Sequence, residues 1–97
     1  MLDQMKMVMK ARAIQNELKK TEIEAASRDD LVKVTVTGEM KLTSVSIDDS
    51  LLRSERKTEL ERLIQATVAE AFQRAQQIAA EKTRDVMKDL GVNVPGL

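Results

Sequence analysis

Hydrophobic and polar residues alternate strictly in two stretches, 32–37 and 44–47, of a segment in the middle of the chain, residues 32–52 (VKVTVTGEMKLTSVSIDDSLL). Alternation with a period of two predicts strands that bury one face and expose the other. Gly38 lies between the two alternating stretches, which predicts a β-hairpin. The apolar positions of the alternation are Val32, Val34 and Val36 before the turn and Val45 and Ile47 after it.

Residues 2–20 contain no Gly or Pro and are dominated by good helix formers, so they predict a first helix. The first half of this helix is apolar almost all round, which is typical of a helix buried by more than one neighbour. Residues 21–27 predict a short first strand with Ile23 and Ala25 facing inward. The hairpin then follows after a turn.

Residues 55–90 predict a second helix, with Ser54 as its N-cap and Gly91 as its end. An apolar stripe runs along this helix as far as Ala79, and Lys82 occupies the centre of the stripe's continuation. We therefore expect packing on the sheet to end near Ala79 and the rest of the helix to project.

The predicted lengths favour a symmetric dimer. A helix of this size spans roughly 54 Å, whereas strands of six or seven residues span only about 20–23 Å. A three-stranded sheet with one apolar face and open edges is also an improbable monomer. Two-fold dimerisation, the commonest oligomeric arrangement, would cover both surfaces.

The composition of the 97 residues predicts one domain, residues 1–97, that is not an enzyme. The chain has no Cys and no His, which removes thiol chemistry, disulfides and the commonest general base and metal ligand. Its three glycines are isolated, so no phosphate-binding loop is present. We expect no cofactor, no metal and no small-molecule substrate. No apolar run approaches the ~20 residues of a membrane span, so we expect a cytoplasmic protein without membrane contact.

Basic residues gather on the helices although the formal net charge is zero. Residues 1–20 have five basic and two acidic side chains, and residues 21–30 reverse that balance. On the second helix, Glu81 and Arg84 have the spacing of an intrahelical ion pair, as do Asp85 and Lys88. Such a pattern is typical of a solvated helix face, and it could also bind phosphates. The only aromatic residue lies on the core stripe, which disfavours base stacking.

A series of short segments resembles the YbaB/EbfC family of small bacterial nucleoid-associated proteins. The segments are residues 31–38 (LVKVTVTG), residues 45–48 (VSID) with Leu51 and Leu52, residues 60–71 (LERLIQATVAEA) and residues 95–97 (PGL). They cover nearly the whole chain in the family's order. Two departures stand out: Arg28, Asp29 and Asp30 replace a glycine-rich turn, and Ala69 replaces a frequent Asn.

The resemblance implies an α+β fold, with an α-β-β-β-α subunit, a small antiparallel three-stranded sheet and long projecting helices in a tweezer-like homodimer. It also implies binding of double-stranded DNA, with a role in nucleoid organisation and gene regulation. The expected DNA contacts are Lys6, Lys10, Arg12, Lys19, Lys20, Arg74, Lys82, Arg84 and Lys88. The expected core and dimer contacts are Met5, Ile14, Val34, Val36, Leu42, Val45, Ile47, Ile64 and Phe72. The alternative is a non-catalytic adaptor whose projecting helices and Met-rich first turn bind another protein.

Overall fold

The computed structural model describes residues 2–89 and 91 and has the predicted α-β-β-β-α order. Its elements are α1 (Leu2–Lys20), β1 (Glu22–Ala26), β2 (Val32–Thr37), β3 (Leu42–Ile47) and α2 (Lys57–Asp89), with 3₁₀ turns at Asp49–Leu51 and Ser54–Arg56. The predicted α+β fold is thus confirmed for the subunit. Leu90 and the family-like residues 95–97 lie outside the described residues.

The three strands form one antiparallel sheet in the order β1-β2-β3. Val34 lies opposite Val45, and Val36 lies opposite Leu42, with a bulge between these two pairs. The predicted alternation of Val45 and Ile47 with Ser44 and Ser46 is therefore confirmed, and the register is interrupted only between Leu42 and Ser44. The bulge inserts one extra residue, Thr43, and so returns Leu42 to the same face as Val45.

The core lies between α2 and the first two strands. Ile23 and Ala25 are buried, as predicted, beside Val34 and Val36. On α2 the buried positions facing them are small, Thr67, Ala71 and Ala75, and small side chains allow close approach of helix and sheet. Partly buried side chains complete the core at its margin: Leu31, Met40, Ile47, Leu60, Leu63, Ile64, Val68, Phe72 and Ile78.

Three of the predicted core and dimer residues are not in the core of the subunit. Met5 is 65% exposed, and Leu42 and Val45 are 45% and 44% exposed. The reason for the two strand residues is that α2 packs on β1 and β2 and leaves β3 uncovered. Ile14 is half-buried on α1. A role for these residues in dimer contacts stays a prediction.

The start of α2 differs from the prediction, whereas its end agrees. Ser54 is not an N-cap, because it begins a 3₁₀ turn that leads directly into the helix. Arg56 stabilises this entry, with its Nε 2.6 Å from Glu59 Oε1 and its Nη1 donating to the Ser50 carbonyl at 3.2 Å. Gly91 has φ +74° and donates its N–H to the Lys88 carbonyl, which is the geometry of a helix C-terminus.

Gly38 joins the hairpin to the end of α1. Its N–H donates to the carbonyls of both Leu18 and Thr21, at 2.9 and 3.0 Å. A Cβ at this position would lie 2.8 Å from Leu18 Cδ2 and 2.9 Å from the Leu18 carbonyl oxygen. The close approach of two backbones is possible here because glycine has no side chain.

Candidate nucleic-acid interface

α1 and the C-terminal part of α2 lie side by side and antiparallel, and we call this pair the two-helix arm (residues 2–20 with residues 78–89). Lys82 of α2 forms an ion pair with Glu17 near the C-terminal end of α1. Towards the N-terminal end of α1, Lys6 and Lys10 line a groove together with Asp89 of α2. The part of α2 beyond Ala79 is therefore accompanied by α1.

The ion pair of Lys82 also explains why a charged residue interrupts the apolar stripe. Its side chain is half-buried, and its ammonium group contacts the Glu17 carboxylate across the two helices. Sequence reasoning missed Glu17, because a contact between residues 65 positions apart depends on how the helices dock. No local spacing signal indicates it.

An apolar cleft of about 340 Å³ lies between the helices of the arm. Its lining residues are Met7, Ala11, Ile14, Gln15 and Leu18 on α1 and Thr83, Val86 and Met87 on α2. The side of α1 that faces α2 is therefore apolar, and the basic side chains of α1 lie outside this cleft.

The five basic residues predicted on α1 are all exposed: Lys6, Lys10, Arg12, Lys19 and Lys20. None of the five forms an ion pair with a described acidic side chain. Lys19 and Lys20 lie in the last turn of α1, where positive charge also offsets the negative end of the helix dipole. These side chains can reach a phosphate without giving up another described ion-pair partner.

Two of the four basic residues predicted on α2, Arg74 and Lys82, are engaged in ion pairs. Arg74 is 2.8 Å from Glu70 and donates a second hydrogen bond to the Glu24 carbonyl of β1 at 3.0 Å. Arg84 is half-buried, and its Nε has no hydrogen-bond partner within the described part of the chain. Lys88 is exposed. With Lys82 paired across the arm, the structure places the accessible positive charge mainly on α1.

The ion pairs suggested by spacing within the last turns of α2 do not form. In residues 2–89, neither Glu81 with Arg84 nor Asp85 with Lys88 comes within ion-pair distance. Spacing permits such pairs without requiring them, because two flexible exposed side chains gain little from pairing in water.

Two negative observations bear on other functions. Among the described residues, no group of three or more acidic side chains is arranged to hold a metal ion. None of the described helices combines the length and apolarity needed to cross a bilayer.

Comparison with known proteins identifies the family. A sequence model of the YbaB/EbfC DNA-binding family matches residues 1–90. The chain belongs to the YbaB/EbfC DNA-binding family. The family predicted from the short segments of sequence is thereby confirmed.

Relatives of this YbaB/EbfC chain are named for the nucleoid. A "Nucleoid-associated protein" of Rhodopseudomonas palustris (strain HaA2) is 38% identical over 88 residues, which cover 91% of this chain and 82% of the relative. A "Nucleoid-associated protein" of Nitrobacter hamburgensis is 35% identical with the same coverage. The crystal structure of the uncharacterized protein HP0035 from Helicobacter pylori has the same fold, with a TM-score of 0.75, 22% identity and coverage of 89% of this chain and 88% of that one.

Proposed function

We propose that this protein is a homodimer that binds double-stranded DNA through the exposed cations of its two-helix arm. It would act in the bacterial nucleoid, in nucleoid organisation and in the regulation of gene expression, without catalysis or a cofactor. Membership of the YbaB/EbfC DNA-binding family and the names of its relatives support the partner. The observation that carries the mechanism is the set of exposed basic side chains along α1 that have no described acidic partner.

The length of α1 suits a duplex. Its 19 residues span roughly 28 Å, close to one turn of B-form DNA at about 34 Å. Lysine and arginine contacts to phosphates position a protein on the duplex and carry no sequence information directly. The arm offers no aromatic side chain for stacking, because Phe72 packs against the core. We therefore expect binding that depends on charge and hardly on base sequence.

A salt titration with random-sequence duplex tests the phosphate mechanism. If the dimer neutralises about four phosphates, log affinity falls against log salt with a slope of roughly −3.6. Affinity would then drop about a hundredfold between 50 and 200 mM salt. An affinity that is unchanged over this range would contradict the mechanism.

Charge reversal on α1 locates the contact. Replacing Lys6 and Lys10 by glutamate should weaken binding by at least tenfold and leave the far-UV circular dichroism unchanged, because both side chains are exposed. The matched control replaces Lys33 and Lys57 by glutamate, because both are also exposed and lie outside the arm. Equal losses in the two double variants would show that only total charge matters.

The apolar cleft of the arm favours a second function, that of a protein adaptor. Met7 of α1 and Met87 of α2 both line it, and methionine-lined surfaces adapt to varied partners. A gel-shift assay at low salt separates the two functions. No shift at high micromolar dimer concentration would favour the adaptor over the DNA-binding protein.

A further inference from the structure

The two helices of the arm cover their apolar cleft only in part. Within residues 4–20 of α1, Ile14 and Leu18 are half-buried and every other side chain is exposed. Met7, which lines the cleft, is 45% exposed. Removing apolar surface from water is favourable, so a cleft of about 340 Å³ with this lining favours an apolar occupant.

The geometry at the end of α2 directs the chain back towards this cleft. Gly91 has a φ of +74°, and its N–H donates to the Lys88 carbonyl at 3.0 Å. This hydrogen bond is one of the two that define the Schellman motif at a helix C-terminus. In that motif the residue after the glycine commonly packs against the last turn of the helix, at the positions that Met87 and Val86 occupy here. Both of these residues line the cleft.

The residues that follow Gly91 have a pattern that suits the cleft. Residues 92–97 (VNVPGL) include no charged side chain. Pro95 favours an extended backbone at the residue before it. In an extended segment, Val92 and Val94 lie on one side and Asn93 lies on the other. The segment can therefore bury two apolar side chains while its amide side chain stays in water.

The segment is also long enough to follow the cleft. The lining residues of α2 extend from Met87 to Thr83, which are four and eight residues before Gly91. These positions lie about 6 and 12 Å back along the helix axis. Six extended residues span up to about 20 Å. Docking of the segment therefore requires no change in either helix.

We propose that residues 92–97 fold back along the two-helix arm and pack in its apolar cleft, with Val92 and Val94 between α1 and α2. The segment covers Met7 and Met87, and another protein can enter the cleft only by displacing it. This inference concerns the cleft alone, so it requires neither the proposed dimer nor DNA binding.

A single tryptophan in the segment tests the docking. The chain has no Trp and no Tyr, so the indole emission of a Val94→Trp variant reports on that position alone. We expect emission at a shorter wavelength than that of free tryptophan, together with protection from quenching by iodide. Emission at the wavelength of free tryptophan, with full quenching, would overturn the proposal.

Two alanines of α1 provide matched variants in the tryptophan background. Ala11 and Ala13 are both exposed, but Ala11 lines the cleft and Ala13 lies in the groove beside Asp89. Ala11→Glu should shift the emission to longer wavelength, because a carboxylate in the cleft opposes burial of apolar side chains. Ala13→Glu should leave the emission unchanged. A short-wavelength emission that Ala11→Glu does not alter would place the segment elsewhere and overturn the proposal.

Methyl NMR of the methionines gives a second measurement, which decides if the tryptophan variant does not fold. The double variant Val92→Asp, Val94→Asp should move the ε-methyl signals of Met7 and Met87. It should leave the signal of Met5 in place, because Met5 lines a different groove. An unchanged Met7 signal would contradict the docking, since Met7 belongs to the other helix.

Dilution separates docking within one chain from docking in a second copy. We expect the short-wavelength emission to persist at all concentrations. Its loss at concentrations where sedimentation shows dissociation to 10.9 kDa would assign the segment to the cleft of the second copy and overturn the proposal. The salt titration with duplex is a separate measurement, so failure of this inference leaves the proposed DNA binding standing.

Discussion

Replacing Gly38 by alanine should destabilise the protein because the methyl group has no room. The added Cβ would lie 2.8 Å from Leu18 Cδ2, 2.9 Å from the Leu18 carbonyl oxygen and 3.1 Å from Leu18 Cα. The side-chain carbon can rotate away, but the backbone atoms cannot. The end of α1 must therefore move away from the hairpin, which stretches the hydrogen bonds from Gly38 to Leu18 and Thr21.

The magnitude follows from three contributions. Forcing a methyl group into a closely packed site costs about 1–3 kcal/mol. Weakening the hydrogen bonds of Gly38 costs about another 0.5–1.5 kcal/mol. Alanine reduces the freedom of the unfolded chain, which returns about 0.4–1 kcal/mol. We expect the free energy of unfolding to fall by about 2–3 kcal/mol.

Urea unfolding followed by far-UV circular dichroism measures this loss, since the chain has no Trp or Tyr to provide fluorescence. Protein concentration must be equal for the variants, because formation of the proposed dimer would contribute to apparent stability. A loss below about 0.5 kcal/mol for Gly38→Ala would refute the reasoning, since no methyl-sized displacement would then be needed.

Gly91→Ala is the matched control. No atom of the described residues lies within 4 Å of a Cβ at Gly91, but the φ of +74° at this position is unfavourable for alanine. The expected loss is about 1 kcal/mol from backbone strain alone. Adding Leu18→Ala to the Gly38→Ala variant should give only partial rescue, because the carbonyl contact at 2.9 Å remains.

Two further predictions concern charged groups. Glu17→Gln should release Lys82 from its ion pair and change the free energy of unfolding by less than about 1 kcal/mol. If the released Lys82 contacts a phosphate, the slope of log affinity for DNA against log salt should become steeper by roughly 0.9 per protomer. An unchanged slope would show that Lys82 does not reach phosphate. Hydrogen bonds from Ser50 lower the pKa of Asp48 in the folded protein. The ionised carboxylate therefore stabilises the fold at any pH above its ordinary pKa, and this contribution is lost as the pH falls through the folded-state pKa. Asp48→Asn should therefore be less stable than wild type near neutral pH, and the difference in urea midpoint should vanish once the pH has fallen through the folded-state pKa of Asp48. A difference that stays constant with pH would contradict the assignment.

Much of the subunit could be predicted from local patterns. Alternation located β2 and the inward positions of β1, and the uninterrupted runs of helix formers located α1 and α2, because both depend on the repeat of a single element. The backbone geometry of the turns was harder to predict from the sequence. Asp30 has a φ of 58°, so the position keeps a left-handed backbone conformation without the family's glycine. Aspartate tolerates this conformation better than most residues.

The amino-acid sequence by itself determined the order of the elements, the inward faces of β1 and β2 and the family, since these follow from periodicity and from ordered local segments. Only the tertiary structure decided which cations remain accessible, because Lys82 and Arg74 contact partners that are distant in the chain. It also decided that β3 stays uncovered, since the β-bulge at Thr43 and the position of α2 over β1 and β2 are set by packing between elements. Local patterns determine what each element can bury, and the docking of the elements determines what remains exposed for a partner.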